Sequence, residues 1–260
     1  MDQTPRLLIF DVDGTLTDSA GITRTAYETV VEELYGVRNS TRGLKPAGRT
    51  DRDIFFEILN LNQIEVTDQN EEFRKFSDLY IPLLGRLLTE SKKPRLLAGV
   101  KTLLEKLAAL EPMHLALGTG NIEQSAYLKL HRHNVSSYFP VGGFGSDSSV
   151  RAEIIAIALR RAQHYYRVPF ATRDTWVIGD TPFDIQAGRD AGANTLAVAT
   201  GPHDQYELAR YKPTALFSDL DDWDHFIHVI TGKIRFNVEG LVRESQPNLR
   251  LESGIPLPSK

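Results

Sequence analysis

Four short apolar runs, each stopping at a polar or glycine-rich turn, restrict this chain more than any other feature. Residues 7–10 run into Asp11, 115–117 into Gly118 and Thr119, 176–178 into Gly179 and Asp180, and 195–198 lead to Gly201. Apart from Thr195 the runs are apolar instead of alternating, the pattern of strands buried on both faces of a parallel sheet. Helical periods lie between them, so the predicted class is α/β, a doubly wound parallel sheet. Residues 215–217 offer one more strand and 223–230 a helix.

Between the first two runs the pattern becomes helical only. Ile22, Ala26, Val30 and Leu34 recur every fourth residue and stop at Gly36. Ile54, Phe55, Ile58 and Leu59 form a second apolar face, and Phe73, Phe76, Leu79, Tyr80, Leu83 and Leu87 a third. Phe73, Phe76 and Tyr80 are expected to fill the core of this insert. The expected division is an α/β core of residues 1–16 and 93–235, an inserted α-helical cap domain of 17–92, and a C-terminal tail of 236–260. The hinges would be the turn after Thr15 and the stretch Lys92, Lys93, Pro94, before a helix over 100–110. The tail from Asn237 holds three prolines and no sustained apolar period, and is expected to be extended or disordered.

Charge narrows the partners. With 34 acidic against 30 basic residues the formal net charge is −4, which provides no overall positive field for nucleic acid or an anionic membrane. The apolar runs fall far short of the roughly 20 residues that cross a bilayer, so no membrane span is expected. Residues 1–6 include Asp2 and Pro5 and do not resemble a signal peptide. Absence of cysteine excludes disulfides and thiolate catalysis and fits a reducing compartment, so the expected location is cytoplasmic.

In doubly wound sheets ligands bind beyond the carboxyl ends of the strands, and three of these ends carry reactive groups. The first ends in Asp11-Val12-Asp13-Gly14-Thr15, the second in Gly118-Thr119-Gly120-Asn121, and the third in Gly179-Asp180-Thr181-Pro182-Phe183-Asp184. Carboxylates gathered in one crevice repel each other unless a cation lies among them, and hard oxygen ligands suit Mg²⁺. Asp11 and Asp180 are the side-chain ligands expected. A single strand-end Asp is ordinarily a helix N-cap, but three such ends together point to a site.

These residues resemble the motifs of the haloacid dehalogenase superfamily, in its phosphoglycolate phosphatase-like branch with a helical cap. Asp-Val-Asp-Gly-Thr matches the first motif, the Thr119 turn the second and Gly-Asp-Thr-Pro-Phe-Asp the fourth, in order over residues 6–220. The resemblance implies a five-stranded parallel core with the Asp11 and Asp180 strands adjacent. It implies a Mg²⁺-dependent phosphatase acting on a small phosphorylated metabolite through an aspartyl-phosphate. Asp11 would be nucleophile and metal ligand, and Asp13 would be general acid and base and would add its main-chain carbonyl to the metal. Asp180 would complete the metal set, with Asp184 behind it orienting Asp180 or a metal-bound water. Thr119 and the Gly120 amide would bind phosphate, aided by the positive end of the helix beginning near Ile122.

The third motif is a basic residue, most often Lys in a Lys-Pro pair. That pair is absent, and Arg151 occupies the matching place. A cation at a helix N-terminus opposes the dipole, which favours a phosphate or aspartate contact; the ordinary alternative is an exposed arginine pairing with Asp147 or Glu153. In the cap, Gly48-Arg49-Thr50-Asp51 precedes a helix, with Thr50 or Asp51 as its N-cap and Arg49 as the expected substrate contact.

Asp13 argues against the superfamily's dehalogenases, which lack that acid, and against its phosphonate hydrolases, which lack it and need a cap lysine. A phosphomutase of the same superfamily and a non-catalytic binding protein on the same fold stay open at this stage. The seven histidines are read as surface residues, with a weak zinc reading for His225 and His228 near Asp221, Asp222 and Asp224.

Overall fold

A computed structural model describes residues 4–233. The tail expected over 236–260, and the last two residues of the expected core, lie outside the described residues. In chain order the elements are β1 (Arg6–Phe10), β2 (Thr17–Asp18), α1 (Ile22–Tyr35), α2 (Asp51–Leu61), α3 (Gln69–Glu90), β3 (Arg95–Leu96), α4 (Val100–Ala108) and β4 (Met113–Gly118). They continue with α5 (Glu123–His131), β5 (Gly142–Gly143), α6 (Arg151–Tyr166), β6 (Thr175–Gly179), α7 (Pro182–Asp190), β7 (Asn194–Val198), α8 (Gln205–Ala209), β8 (Ala215–Phe217) and α9 (Trp223–Ile230).

The main sheet has six strands in the order β5-β4-β1-β6-β7-β8, all parallel. The Asp11 and Asp180 strands are neighbours as expected, with Phe10 opposite Ile178. The sixth strand corrects the expected five: β5 is the pair Gly142–Gly143, which extends the edge beside Leu117 and Gly118. Two glycines carry no apolar side chains, so this strand has no hydrophobic signature.

Strand β1 is buried from end to end, and its side chains alternate between two helical layers. Leu8 and Phe10 pack with Val100, Leu103 and Leu104 of α4, Ala126 and Leu130 of α5, and Phe226 and Val229 of α9. Leu7 and Ile9 face the other way, onto Ile155, Ala158 and Ala162 of α6 and Ala187 of α7. Each such side chain, fully removed from water, contributes roughly 1.5–3 kcal/mol. That burial on both faces fixes the end of β1, and so fixes where Asp11 stands.

The three helices α1–α3 share a separate core. Tyr27, Phe55, Phe76 and Tyr80 are buried there in mutual ring contact, with Phe55 and Phe76 stacked at 4.4 Å. The chain enters and leaves this insert through adjacent segments, because β2 pairs antiparallel with β3, Thr17 against Leu96. Among the described residues no helix is long and apolar enough to cross a membrane.

Burial takes His114 and His133 away from the surface reading, and it is the first cause of the lowered pKa of each. His114 is half-buried, 4.5 Å from the Tyr166 ring and 5.1 Å from Phe170 between centroids, and burial holds its pKa below the usual value. Its position on β4 aims it at the α6 side of the sheet. His225 and His228 pair with Asp222 and Asp224 of their own segment, and no group of three ligands gathers around them among the described residues.

Candidate active site

The carboxyl ends of β1, β4 and β6 open into one cavity of about 370 Å³ beneath the helical insert. Asp11, Asp13, Thr119, Gly120, Arg151 and Asp180 line it from the sheet side, and Arg49 lines it from the insert. Seven of the eight residues selected from sequence therefore meet at one place. The eighth, Asp184, lies directly behind.

Asp11, Asp180 and Asp184 are all buried, and each offers a carboxylate oxygen within 4.8 Å of the others. The local fold enforces the crowding. Gly14, at φ +79°, turns the chain so tightly that a Cβ there would lie 2.4 Å from Asp180 Oδ2. Thr15 Oγ1 donates to Asp180 Oδ1 at 3.0 Å, tying the first motif to the third strand end. Asp184 sits in the first turn of α7, accepting from the Thr181 amide at 3.1 Å and the Thr181 hydroxyl at 2.7 Å.

Among the described residues one cation faces the three acids. Arg151, the first residue of α6, is nine-tenths buried and places Nη2 3.2 Å from Asp11 Oδ1 and in contact with Asp184. The exposed alternative is thereby corrected: Asp147 pairs with Arg161, and Glu153 accepts from Ser148. Arg151 Nε is buried with no acceptor among the described residues. Burial pushes the Asp11 carboxyl up to about 6 against the pull of Arg151, with Asp184 and Asp13 adding to the rise. Burial beside Asp11 and Asp184 also holds Asp180 well above the carboxylate range. Three buried hard-oxygen donors facing one guanidinium fit a divalent cation.

Thr119 and Gly120 stand where the second strand ends, both buried. The Thr119 hydroxyl accepts from the Asn121 amide at 3.3 Å. Gly120 has no room for a side chain, since a Cβ would lie 2.3 Å from the Arg49 carbonyl. The helix end expected to aid phosphate binding is already occupied: the Ile122 amide donates to Asp51 Oδ2 at 2.7 Å.

Asp51 is one of three contributors that the sequence reading left unassigned to the site. Thr50 is the N-cap of α2, accepting from the Asp53 amide, which frees Asp51 to reach across to the sheet domain. It accepts from Ser125 Oγ at 3.0 Å and Tyr27 OH at 2.8 Å, so one carboxylate joins the insert to α5. The others are Asn121 and Lys129, which converge on Asp13. Asn121 Nδ2 donates to Asp13 Oδ2 at 3.0 Å, and Lys129 Nζ lies 2.5 Å from the same oxygen. Arg49 is partly committed within the insert, 3.8 Å from Glu57 and 3.4 Å from the Asp53 carbonyl.

Comparison with known proteins follows the same outline. The family described as haloacid dehalogenase-like hydrolase matches residues 8–198. A phosphoglycolate phosphatase of Nitrosococcus oceani is 23% identical over 223 residues, covering 85% of this chain and 95% of that protein. The crystal structure of a hydrolase from Pseudomonas syringae superimposes with a TM-score of 0.67 at 22% identity, over 86% of this chain and 99% of that one. A Thermotoga maritima structure assigned as a beta-phosphoglucomutase gives 0.59 at 22% identity, over 86% and 99%.

Proposed function

Because the chain belongs to the haloacid dehalogenase-like hydrolases, matched from the first strand to the fourth apolar run, we propose that it is a Mg²⁺-dependent phosphatase of small phosphomonoesters, phosphoglycolate phosphatase-like in its chemistry. The observation that carries this is the convergence of Asp11, Asp13, Thr119 and Asp180 on one cavity from three adjacent strands. A binding module would have use for the phosphate contacts but none for a second acid beside the first.

Asp11 attacks phosphorus. Its Oδ1 is held by Arg151, which orients the carboxylate, and with a pKa near 6 the group is largely ionised at neutral pH. Thr119, the Gly120 amide and the Arg151 guanidinium, all on the cavity wall, are the donors available for the phosphoryl oxygens. Asp13 protonates the leaving oxygen and afterwards takes a proton from the water that releases phosphate from Asp11. Asp11, Asp180 and the Asp13 main-chain carbonyl would hold Mg²⁺, with Asp184 supporting Asp180, and the cation would neutralise the acids and polarise the phosphate. The insert acts as a cap: it roofs the cavity, excludes water and presents Arg49 to the part of the substrate beyond the phosphate.

The test is inorganic phosphate release from a panel of phosphometabolites, including phosphoglycolate, with and without Mg²⁺. Metal-dependent release from at least one ester supports the reading. Conversion of a sugar phosphate to its isomer without phosphate release would assign the chain to the phosphomutases instead.

A further inference from the structure

Lys129 is the most deeply buried cation of the described residues that the reaction above does not use. Its side chain is 1% exposed, on the stripe of α5 that also buries Ser125, Ala126 and Leu130. An ammonium taken out of water costs several kcal/mol unless its partners compensate, and such pairs are often no more stable than an apolar side chain of the same size. Here the partners are Asp13 Oδ2 at 2.5 Å and Asn121 Oδ1 at 3.0 Å. Asn121 donates its amide to the same Asp13 oxygen, which closes a three-membered ring of contacts.

The result is a carboxyl with two unequal oxygens. Oδ2 is clamped from the protein side, whereas Oδ1 makes no side-chain or backbone hydrogen bond among the described residues, and Asp13 lines the cavity with its side chain 40% exposed. We propose that Lys129, together with Asn121, is a positioning residue for the acid–base step, fixing Asp13 so that Oδ1 is the oxygen presented to the leaving group; this rests on the phosphatase reading above. As the phosphorus–oxygen bond breaks, its electron pair stays on the leaving oxygen, which takes the proton from Asp13 Oδ1. The carboxylate left behind lies against the Lys129 ammonium, ready to accept a proton from the attacking water in the second half of the reaction. The Asp51 carboxylate, carried by the insert onto the start of α5, is the other acid that feels the Lys129 charge.

A residue acting through the general acid matters most where the leaving group needs protonation. The test compares wild type, Lys129→Met, Asp13→Asn and the double variant on p-nitrophenyl phosphate and on the best alkyl phosphate of the panel, each with Mg²⁺ and a measured Tm. Lys129→Met should lower kcat on the alkyl ester by about 10–100-fold, and by less than about threefold on the aryl ester, whose leaving group needs little protonation. In the Asp13→Asn background the same substitution should add no further loss. Equal losses on both esters, or losses that multiply in the double variant, overturn the assignment. Should Lys129→Met not fold, Asn121→Leu removes the other donor and is expected to show the same split; failure of both to fold makes the pair structural and also overturns it. A wild type that releases phosphate from neither ester overturns the phosphatase reading itself, and this assignment with it, before any substitution is made.

Discussion

Two groups of charges face the same cavity and are balanced in different ways. On the β1–β6 side three buried carboxylates meet a single guanidinium, Arg151, and both Asp11 and Asp180 are driven toward protonation. On the β4–α5 side Asp13 meets one ammonium and one amide, both on Oδ2. The first group is short of positive charge and calls for a cation from solution; the second leaves one oxygen free for proton transfer. On the proposed reading, the first group is the metal and nucleophile side and the second the acid–base side.

The largest effect short of removing the nucleophile is expected from the balanced side. Asp13→Asn keeps the shape and the clamp but removes the transferable proton, and should cost about 10²–10⁴-fold in kcat on alkyl esters by steady-state assay. A loss under tenfold would make Asp13 a structural residue and erase the distinction. Arg151→Ala should cost about 10²–10³-fold, and by similar factors on alkyl and aryl phosphates, because the guanidinium serves the phosphate and Asp11, which every ester shares. A loss confined to one ester class would place Arg151 on the leaving group.

Stability should reverse the order. Asp11 titrates near 6 and Asp180 is also raised, so the folded metal-free protein holds protons that the unfolded chain releases near pH 4. For Asp11 the stabilising contribution is full below about pH 4 and is lost as pH rises through about 6, and Asp180 is shifted in the same direction. Asp180→Asn should therefore raise the metal-free Tm at pH 7.5 by roughly 2–4 °C, and by less at pH 5. Mg²⁺ should raise the wild-type Tm more at pH 7.5 than at pH 5, and do little for the variant. A variant less stable than wild type at pH 7.5 without metal would show that the three acids are not in conflict. The smallest effect is expected at Arg49, already drawn toward Glu57. Arg49→Ala should lower kcat/KM about tenfold for the best metabolite and less for p-nitrophenyl phosphate; equal losses would remove it from substrate recognition.

What could be read in the sequence followed from contiguity. Asp11, Asp13 and Asp180 stand just past the ends of apolar strands, with Asp184 one helical turn further on, and parallel topology brings such ends together whatever the details of packing. The residues missed are those whose partners come from afar. Lys129 reads as an ordinary helical lysine until α5 is placed, when it falls on the buried stripe opposite Asp13, a partner 116 positions away. Its neighbours Ala126 and Leu130 were the available sign that this face turns inward. Asp51 looked like a local N-cap because Thr50 and Asp51 were both suited to the task; only the docked insert shows that Thr50 performs it and Asp51 crosses to α5. The strand at Gly142–Gly143 was illegible for lack of side chains, and the expected helix dipole at Ile122 was spent on Asp51 for a reason no local pattern contains.

The central claim, that Asp11 forms the bond to phosphorus, is tested most directly by Asp11→Asn assayed for p-nitrophenyl phosphate hydrolysis with Mg²⁺, alongside its Tm. The amide is nearly isosteric and can still accept from Arg151, so the protein should fold with a Tm at least equal to wild type, since a buried charge has been removed. Turnover should vanish into the background even for this good leaving group. A folded Asp11→Asn protein that retains ordinary kcat would contradict the account.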